Sequence, residues 1–344
     1  MQDVFKILRQ IEANSSRNTK KEILRQNKDN ELLKKYFLYA YDERRVFGIG
    51  SKSVKKQAQK VAAPQQSSMY QKSLFGGVTT GRTYCGYTNV FDMLDELVKH
   101  PFGSEDDVKA VNDFLAQQDA EAFDWYSRLI LKDLKIGCTA ATINEVWDNY
   151  IPTFDVMLAH PYNKHADKIK GMFQLQRKID GFRLIVFLHP DGKLQFFTRN
   201  GLELFDFPDI EEDFKFIKPF PITMVFDGEC IAKDTFNDTQ KLIMRKEAKT
   251  NVVYHIFDMI AIDDWEREES RDTLFMRYDL LKQVVPADLL YLNVVDELYR
   301  GDDLANITTW FNYAKSQGWE GIMVKMDATY VRKRTTNMLK VKEF

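Results

Sequence analysis

The chain has 344 residues, of which 44% are hydrophobic and 29% charged, a composition that excludes disordered, fibrous and membrane-embedded classes and allows two domains. Its formal net charge of −2 joins two unlike parts: residues 1–90 hold 17 Lys+Arg against 7 Asp+Glu, and the remainder 32 against 44. A basic amino-terminal part suits a polyanionic partner, because clustered cations gain affinity for phosphates by releasing counterions; a solvated basic surface without a ligand is the alternative reading.

Helical spacing opens the chain, with Val4, Ile7, Leu8 and Ile11 repeating at three and four residues, and Leu32, Leu33, Tyr36 and Phe37 continuing the pattern. Residues 50–83 are polar and rich in Ser, Gln and Gly, which predicts a long surface loop. Inside it, Gly76-Gly77-Val78-Thr79-Thr80-Gly81-Arg82-Thr83 imitates a phosphate loop. Arg82 replaces the required lysine, and neither a buried strand before it nor a helix after it is evident, which argues against that function. Helical periodicity returns at 90–99, 108–115 and 123–134. Thr142-Ile143-Asn144-Glu145 then has capping-box spacing, which predicts a helix start with free amides near Gly137 and Thr139.

After Pro152 short apolar runs at 182–188, 194–198, 223–226, 252–257 and 322–324 are bounded by Asp-Gly and Asn-Gly turns. They predict strands of a mainly antiparallel α+β domain. The expected organisation is an all-α domain over residues 1–155 and an α+β domain over 156–344. No apolar stretch approaches the roughly 20 residues that cross a bilayer, and the amino terminus has no signal-peptide pattern, so an intracellular, cytoplasmic protein is expected. Cys85, Cys138 and Cys230 form no CxxC pair, and the five histidines have no metal-ligand spacing.

The chemistry concentrates in Gln176-Arg177-Lys178-Ile179-Asp180-Gly181-Phe182-Arg183. A lysine just before an Asp-Gly turn is presented at a strand end, and flanking cations with partial burial favour the neutral amine that acts as a nucleophile. A Lys beside an ordinary hairpin turn is the bland alternative. Four more segments succeed it in order: Phe226-Asp227-Gly228-Glu229, Val252-Val253-Tyr254-His255-Ile256-Phe257-Asp258, Glu320-Gly321-Ile322-Met323-Val324-Lys325 and Met338-Leu339-Lys340-Val341-Lys342. Lys340 and Lys342 are two apart, so on a strand both amines point to one face.

This ordered set resembles the motifs of the covalent nucleotidyltransferases, which comprise ATP-dependent DNA ligases, RNA ligases and mRNA-capping guanylyltransferases. The resemblance implies that Lys178 is adenylated by ATP with Mg²⁺. It implies that Gln176 meets the adenine edge, Arg183 the ribose, and Arg199 the nucleotide or a 5′ phosphate. Glu229 would bind the ribose or metal, Phe257 would stack on adenine, and Glu320 would help hold the metal. Lys325, Lys340 and Lys342 would neutralise phosphate charge.

Arg128-Leu129-Ile130-Leu131-Lys132-Asp133-Leu134-Lys135-Ile136-Gly137-Cys138 resembles the end of the helical DNA-binding domain of ATP-dependent DNA ligases. Residues 27–35 and Glu145-Val146-Trp147 are similar to the T-even bacteriophage members. Lys132, Gly137 and Thr139 are the implied contacts to the DNA backbone. The expected partner is nicked duplex DNA, in replication, repair and recombination, bound by a monomer. The chain stops two residues after Lys342, where such ligases continue into an OB-fold domain. The expectation is therefore a fragment or a shortened form, with an RNA ligase or a noncatalytic nick-binding fragment as alternatives.

Overall fold

All but the first of the amino-terminal helices named below begin where a side chain satisfies an orphan amide. A computed structural model describes residues 1–54, 86–99, 103–218, 220–232, 239–245 and 247–343, so most of the 50–83 loop and the whole phosphate-loop lookalike lie outside the described residues. The chain divides into two compact units, Met1–Thr153 and Phe154–Phe344.

In the first unit the helices are Gln2–Glu12, Arg17–Gln26, Glu31–Tyr41, Val90–Val98, Glu105–Leu115, Ala120–Ile130 and Ala140–Asn144. Ser16, Asn30, Asn89, Ser104, Asp119 and Thr139 cap six of them through their side chains. Phe5, Leu8, Phe37, Leu94, Val111 and Leu129 meet in one core. Tyr36 and Trp147 enter it with their polar ends satisfied, Tyr36 Oη donating to the Trp125 carbonyl at 2.6 Å and Trp147 Nε1 to the Lys28 carbonyl at 2.8 Å.

Two expectations are corrected here. The helix expected over 123–134 ends at Ile130, because Lys132 adopts φ 54° and the right-handed turn cannot continue through it. The capping box uses Thr139 and Thr142, one turn earlier than expected, since the Thr142 hydroxyl itself closes the box. Glu145 is ion-paired instead with Arg17 and Lys21.

The second unit is built on two sheets. One contains β1 (Leu158–Pro161), β2 (Phe173–Arg177), β10 (Glu297–Gly301), β11 (Gly321–Met326) and β13 (Arg334–Lys342), in the order β1-β13-β11-β2-β10. The other contains β3 (Phe182–Leu188), β4 (Leu194–Thr198), β5 (Glu203–Leu204), β6 (Met224–Ala232), β7 (Val252–Ala261) and β9 (Leu292–Val294), in the order β5-β4-β3-β6-β7-β9. A small ribbon pairs β8 (Glu269–Thr273) with β12 (Thr329–Val331). Pairing is antiparallel except at β1/β13 and β7/β9, which makes the unit the mainly antiparallel α+β domain expected.

Strand alternation sorts the side chains. Phe173, Leu175, Ile322, Val324, Leu339 and Val341 face a core that includes Ile307 and Ala314 of the helix Ala305–Ser316. Their neighbours Gln174, Gln176, Met323, Lys325 and Lys340 therefore occupy the opposite face. On the second sheet Leu184, Val186, Met224 and Phe226 join the outer core. Ile185, Val225 and Ile260 instead pack with Met157, Tyr330 and Met338 in a cluster between the sheets.

Candidate active site

β2 ends at Arg177, and the next backbone amide, that of Lys178, donates to the Gly321 carbonyl at 3.0 Å. That bond fixes the lysine against β11. The chain then turns through Ile179, Asp180 and Gly181 into β3. The turn lies directly on β6: a β-carbon at Gly181 would stand 2.2 Å from the Cys230 carbonyl oxygen. Glycine is required there for close approach rather than for an unusual φ. The approach brings the turn beside Glu229, whose own cross-strand partner is Arg183.

The Lys178 amine is ion-paired with Glu320, whose other carboxylate oxygen takes Lys342 Nζ at 3.1 Å. Burial opposes it, but the Lys178 and Lys342 ammonium groups hold the Glu320 carboxyl below its ordinary value. Glu229 behaves oppositely. Burial pushes its carboxyl up to about 7, with Arg183 and Lys178 pulling only partly against the rise.

Arg183 forks onto Asp227, Nε to Oδ1 at 2.5 Å and Nη2 to Oδ2 at 2.6 Å. Its guanidinium carbon is 4.7 Å from the centre of the Phe257 ring, and Lys325 Nζ is 4.5 Å from the same centre. Lys325 is 6% exposed, and burial lowers its ammonium to about 8 although Asp258 and Asp227 pull upward. Phe257 owes its place to a bulge. Gly228 pairs with Ile256 and Asp227 with Asp258, so the register skips Phe257. Bulges of this kind re-aim side chains beside functional sites.

These groups surround a cavity of about 200 Å³. Gln176, Lys178, Arg183 and Arg199 line it, with Glu229, Phe257, Lys325 and Lys340. Glu320 and Lys342 are tied to it through Lys178. Gln176 is 1% exposed; its Nε2 makes a long bond of 3.4 Å to the Val295 carbonyl, and its Oε1 has no partner among the described residues. An unpaired buried acceptor on a cavity wall suits a ligand that brings a donor. Burial, with the nearby Lys342, Lys178 and Arg334, holds the Lys340 ammonium below its ordinary value. A larger cavity of about 370 Å³ touches Arg177 and Ile179 but neither Lys178 nor either carboxylate, so volume does not select it.

Met323 and Arg334 also line the smaller cavity and were not identified from the sequence. Met323 sits inside an apolar run that gives no sign of which face opens. Arg334 precedes Lys340 by six residues, and its cationic character within a short basic stretch was the available signal.

Of the three residues implied as DNA contacts, Lys132 has its amine engaged elsewhere. Lys132 Nζ donates to the Tyr39 and Asp42 carbonyls at 3.0 and 2.7 Å, and burial lowers the ammonium to about 8. Gly137 takes φ 65° above the Lys20 ammonium, which donates to the Ile136 carbonyl at 2.6 Å. Thr139 caps a helix of only five residues.

Residues 1–148 match the family model described as DNA ligase N terminus, and residues 156–342 the one described as ATP dependent DNA ligase domain. The chain is 25% identical to the DNA ligase of Enterobacteria phage T4 in a match covering 61% of this chain and 40% of that protein. With DNA ligase 4 of Homo sapiens it shares 23% identity, over 74% of this chain and 33% of the human protein. It thus spans about two-fifths or less of the length of these curated relatives. A solved structure described as Pmar-Lig_PreS3 superposes with a TM-score of 0.75 at 23% identity, covering 99% of this chain and 78% of that one, a likeness of fold. With one model matched to nearly the whole of each compact unit, the chain belongs to the ATP-dependent DNA ligase family.

Proposed function

We propose that this chain carries the adenylation chemistry and part of the DNA grip of an enzyme that seals nicks in duplex DNA. The observation that supports it is the convergence on one cavity of Lys178, Glu229, Phe257, Lys325 and Lys340, drawn from five separate stretches of sequence. In the first step the bond from Lys178 Nζ to the α-phosphorus of ATP forms as the bond to pyrophosphate breaks. The amine attacks after losing a proton, and Glu320 is the carboxylate in contact with it. Gln176 Oε1 accepts from the adenine amine, Phe257 and Met323 take the base, and Arg183 meets the ribose. Arg199, Lys340 and Lys342 oppose phosphate charge. AMP then moves to the 5′ phosphate of a nick and is displaced by the adjacent 3′ hydroxyl.

Glu229 lines the cavity and Glu320 joins it through its ion pairs with Lys178 and Lys342, so these are the two carboxylates that would hold a divalent metal, Glu320 by exchanging a lysine contact for it. Among the described residues no group of three or more His, Cys, Asp or Glu stands ready to hold a metal. Two carboxylates completed by nucleotide phosphates and water match the donor set Mg²⁺ takes in phosphoryl transfer. A Mg²⁺ held by these carboxylates would supply neutralisation of the phosphate charge.

Incubation with α-radiolabelled ATP is expected to label the chain covalently and to leave Lys178→Ala unlabelled; an adduct that survives the substitution overturns the reading. Sealing of nicked DNA is expected over nicked RNA, and joining of pre-adenylated DNA separates a ligase from a fragment that only binds nicks. Removing residues 1–155 is expected to weaken salt-dependent DNA binding and to spare ATP binding.

A further inference from the structure

Arg183 belongs to a closed ring of hydrogen bonds. Asp227 Oδ2, which accepts from Arg183, also accepts from Tyr330 Oη at 2.7 Å. The Tyr330 oxygen accepts in turn from the Met157 amide at 3.1 Å, and the Met157 carbonyl accepts from Arg183 Nη2 at 3.3 Å. Asp227 is 0% and Tyr330 2% exposed, so the two bonds of the Tyr330 hydroxyl lie out of water, where an unmade one is costly. The phenol is held from both ends. Its ring packs on Trp265, and its backbone amide donates to Ser270 Oγ at 2.8 Å.

Among the four members, Arg183 alone lines the 200 Å³ cavity. A carboxylate and a guanidinium can meet in more than one planar arrangement. The Tyr330 bond occupies one side of Oδ2, and the Met157 carbonyl occupies a second proton of Nη2. Together they leave one orientation, with the guanidinium over Phe257. We propose that Tyr330 is a positioning residue for the nucleotide: its hydroxyl sets the plane of Asp227, and through it the plane in which Arg183 meets the ribose. This rests on reading the cavity as the nucleotide site.

The test is a double-mutant cycle on the full chain, following ATP binding by calorimetry. Tyr330→Phe keeps the ring packing and removes both hydroxyl bonds, the one to Asp227 and the one from the Met157 amide, so ATP affinity is expected to fall about tenfold. In an Arg183→Gln background the same change is expected to cost less than about twofold, because the group through which Tyr330 acts is already gone. Equal losses in both backgrounds mean that Tyr330 acts by general destabilisation and overturn the proposal, as does an unchanged affinity in the first. If Tyr330→Phe fails to fold by circular dichroism, Asp227→Asn breaks the ring at its anion and carries the same cycle. A wild-type chain that does not bind ATP sinks the nucleotide reading and this proposal together, whereas binding with additive losses sinks the proposal alone.

Discussion

Glu320 holds two lysines at once, Lys178 through one carboxylate oxygen and Lys342 through the other, the latter at 3.1 Å. The proposed nucleophile is therefore in contact with a carboxylate that can take its proton, and two ammonium groups share one compensating charge. Glu320→Gln keeps the shape and removes the charge. Adduct formation in a single turnover is expected to slow by roughly a hundredfold or more, the range lost when a positioned acid or base is removed, while ATP binding is retained. A rate within a few-fold of wild type would show that the contact has no part in the chemistry.

Lys325 trades stability for a charge in the cavity. Burial places its ammonium near 8 in the folded chain, against 10.5 ordinarily. Between those values the unfolded chain keeps a proton that the folded chain has released, so this group's contribution to stability rises with pH across that window. Below about 8 both states are charged, and the fold carries the whole cost, about 3 kcal/mol for a displacement of that size. Lys325→Met is expected to raise the melting temperature at pH 7 by several degrees, to lose that advantage as pH approaches 10.5, and to weaken ATP binding. Melting curves at pH 7 and 10 check the sign.

Gln176 gives a second case of the same trade. Its Oε1 is buried without a partner among the described residues and its Nε2 bond is long, so the side chain adds little to the empty fold. Gln176→Leu is expected to leave the melting temperature unchanged or higher, because replacing an unsatisfied buried polar group by an apolar one of similar shape is neutral to stabilising. ATP affinity is expected to drop about tenfold, the worth of one well-made hydrogen bond. A large stability loss with normal ATP affinity would contradict this account.

Locality decides how much of the site was legible in the sequence. Gln176 and Lys178, and Lys340 and Lys342, are two apart, and the period-two alternation of strands turns that spacing into a shared face; Glu320 and Lys325 share a short motif, but Glu320 stands just before β11 begins at Gly321. The bulge at Phe257 breaks this parity, so the inward turn of Asp258 toward Arg277 could not be read. The Tyr330 bond to Asp227 joins residues 103 apart in sequence, and no local pattern announces such a partner. In the helical unit Leu134 keeps apolar spacing with Leu131 and Ile130, which extended the expected helix past its end. The left-handed backbone of Lys132 overrode that spacing.

Lys132 itself gives the sharpest separation of a structural from a DNA-binding role. Its amine bonds two carbonyls contributed some ninety residues earlier, those of Tyr39 and Asp42. Lys132→Met leaves both acceptors short of a donor in a partly buried corner, at a cost of about 1–3 kcal/mol, so the first unit is expected to melt earlier. A phosphate contact would behave differently. Each one contributes about 0.9 to the slope of log affinity against log salt on duplex DNA. The Lys132→Met chain is expected to keep the wild-type slope, whereas Lys135→Ala, at an exposed site with no ion pair among the described residues, is expected to lower it by about one contact. A reduced slope with an unchanged melting temperature in Lys132→Met would return that amine to the DNA interface.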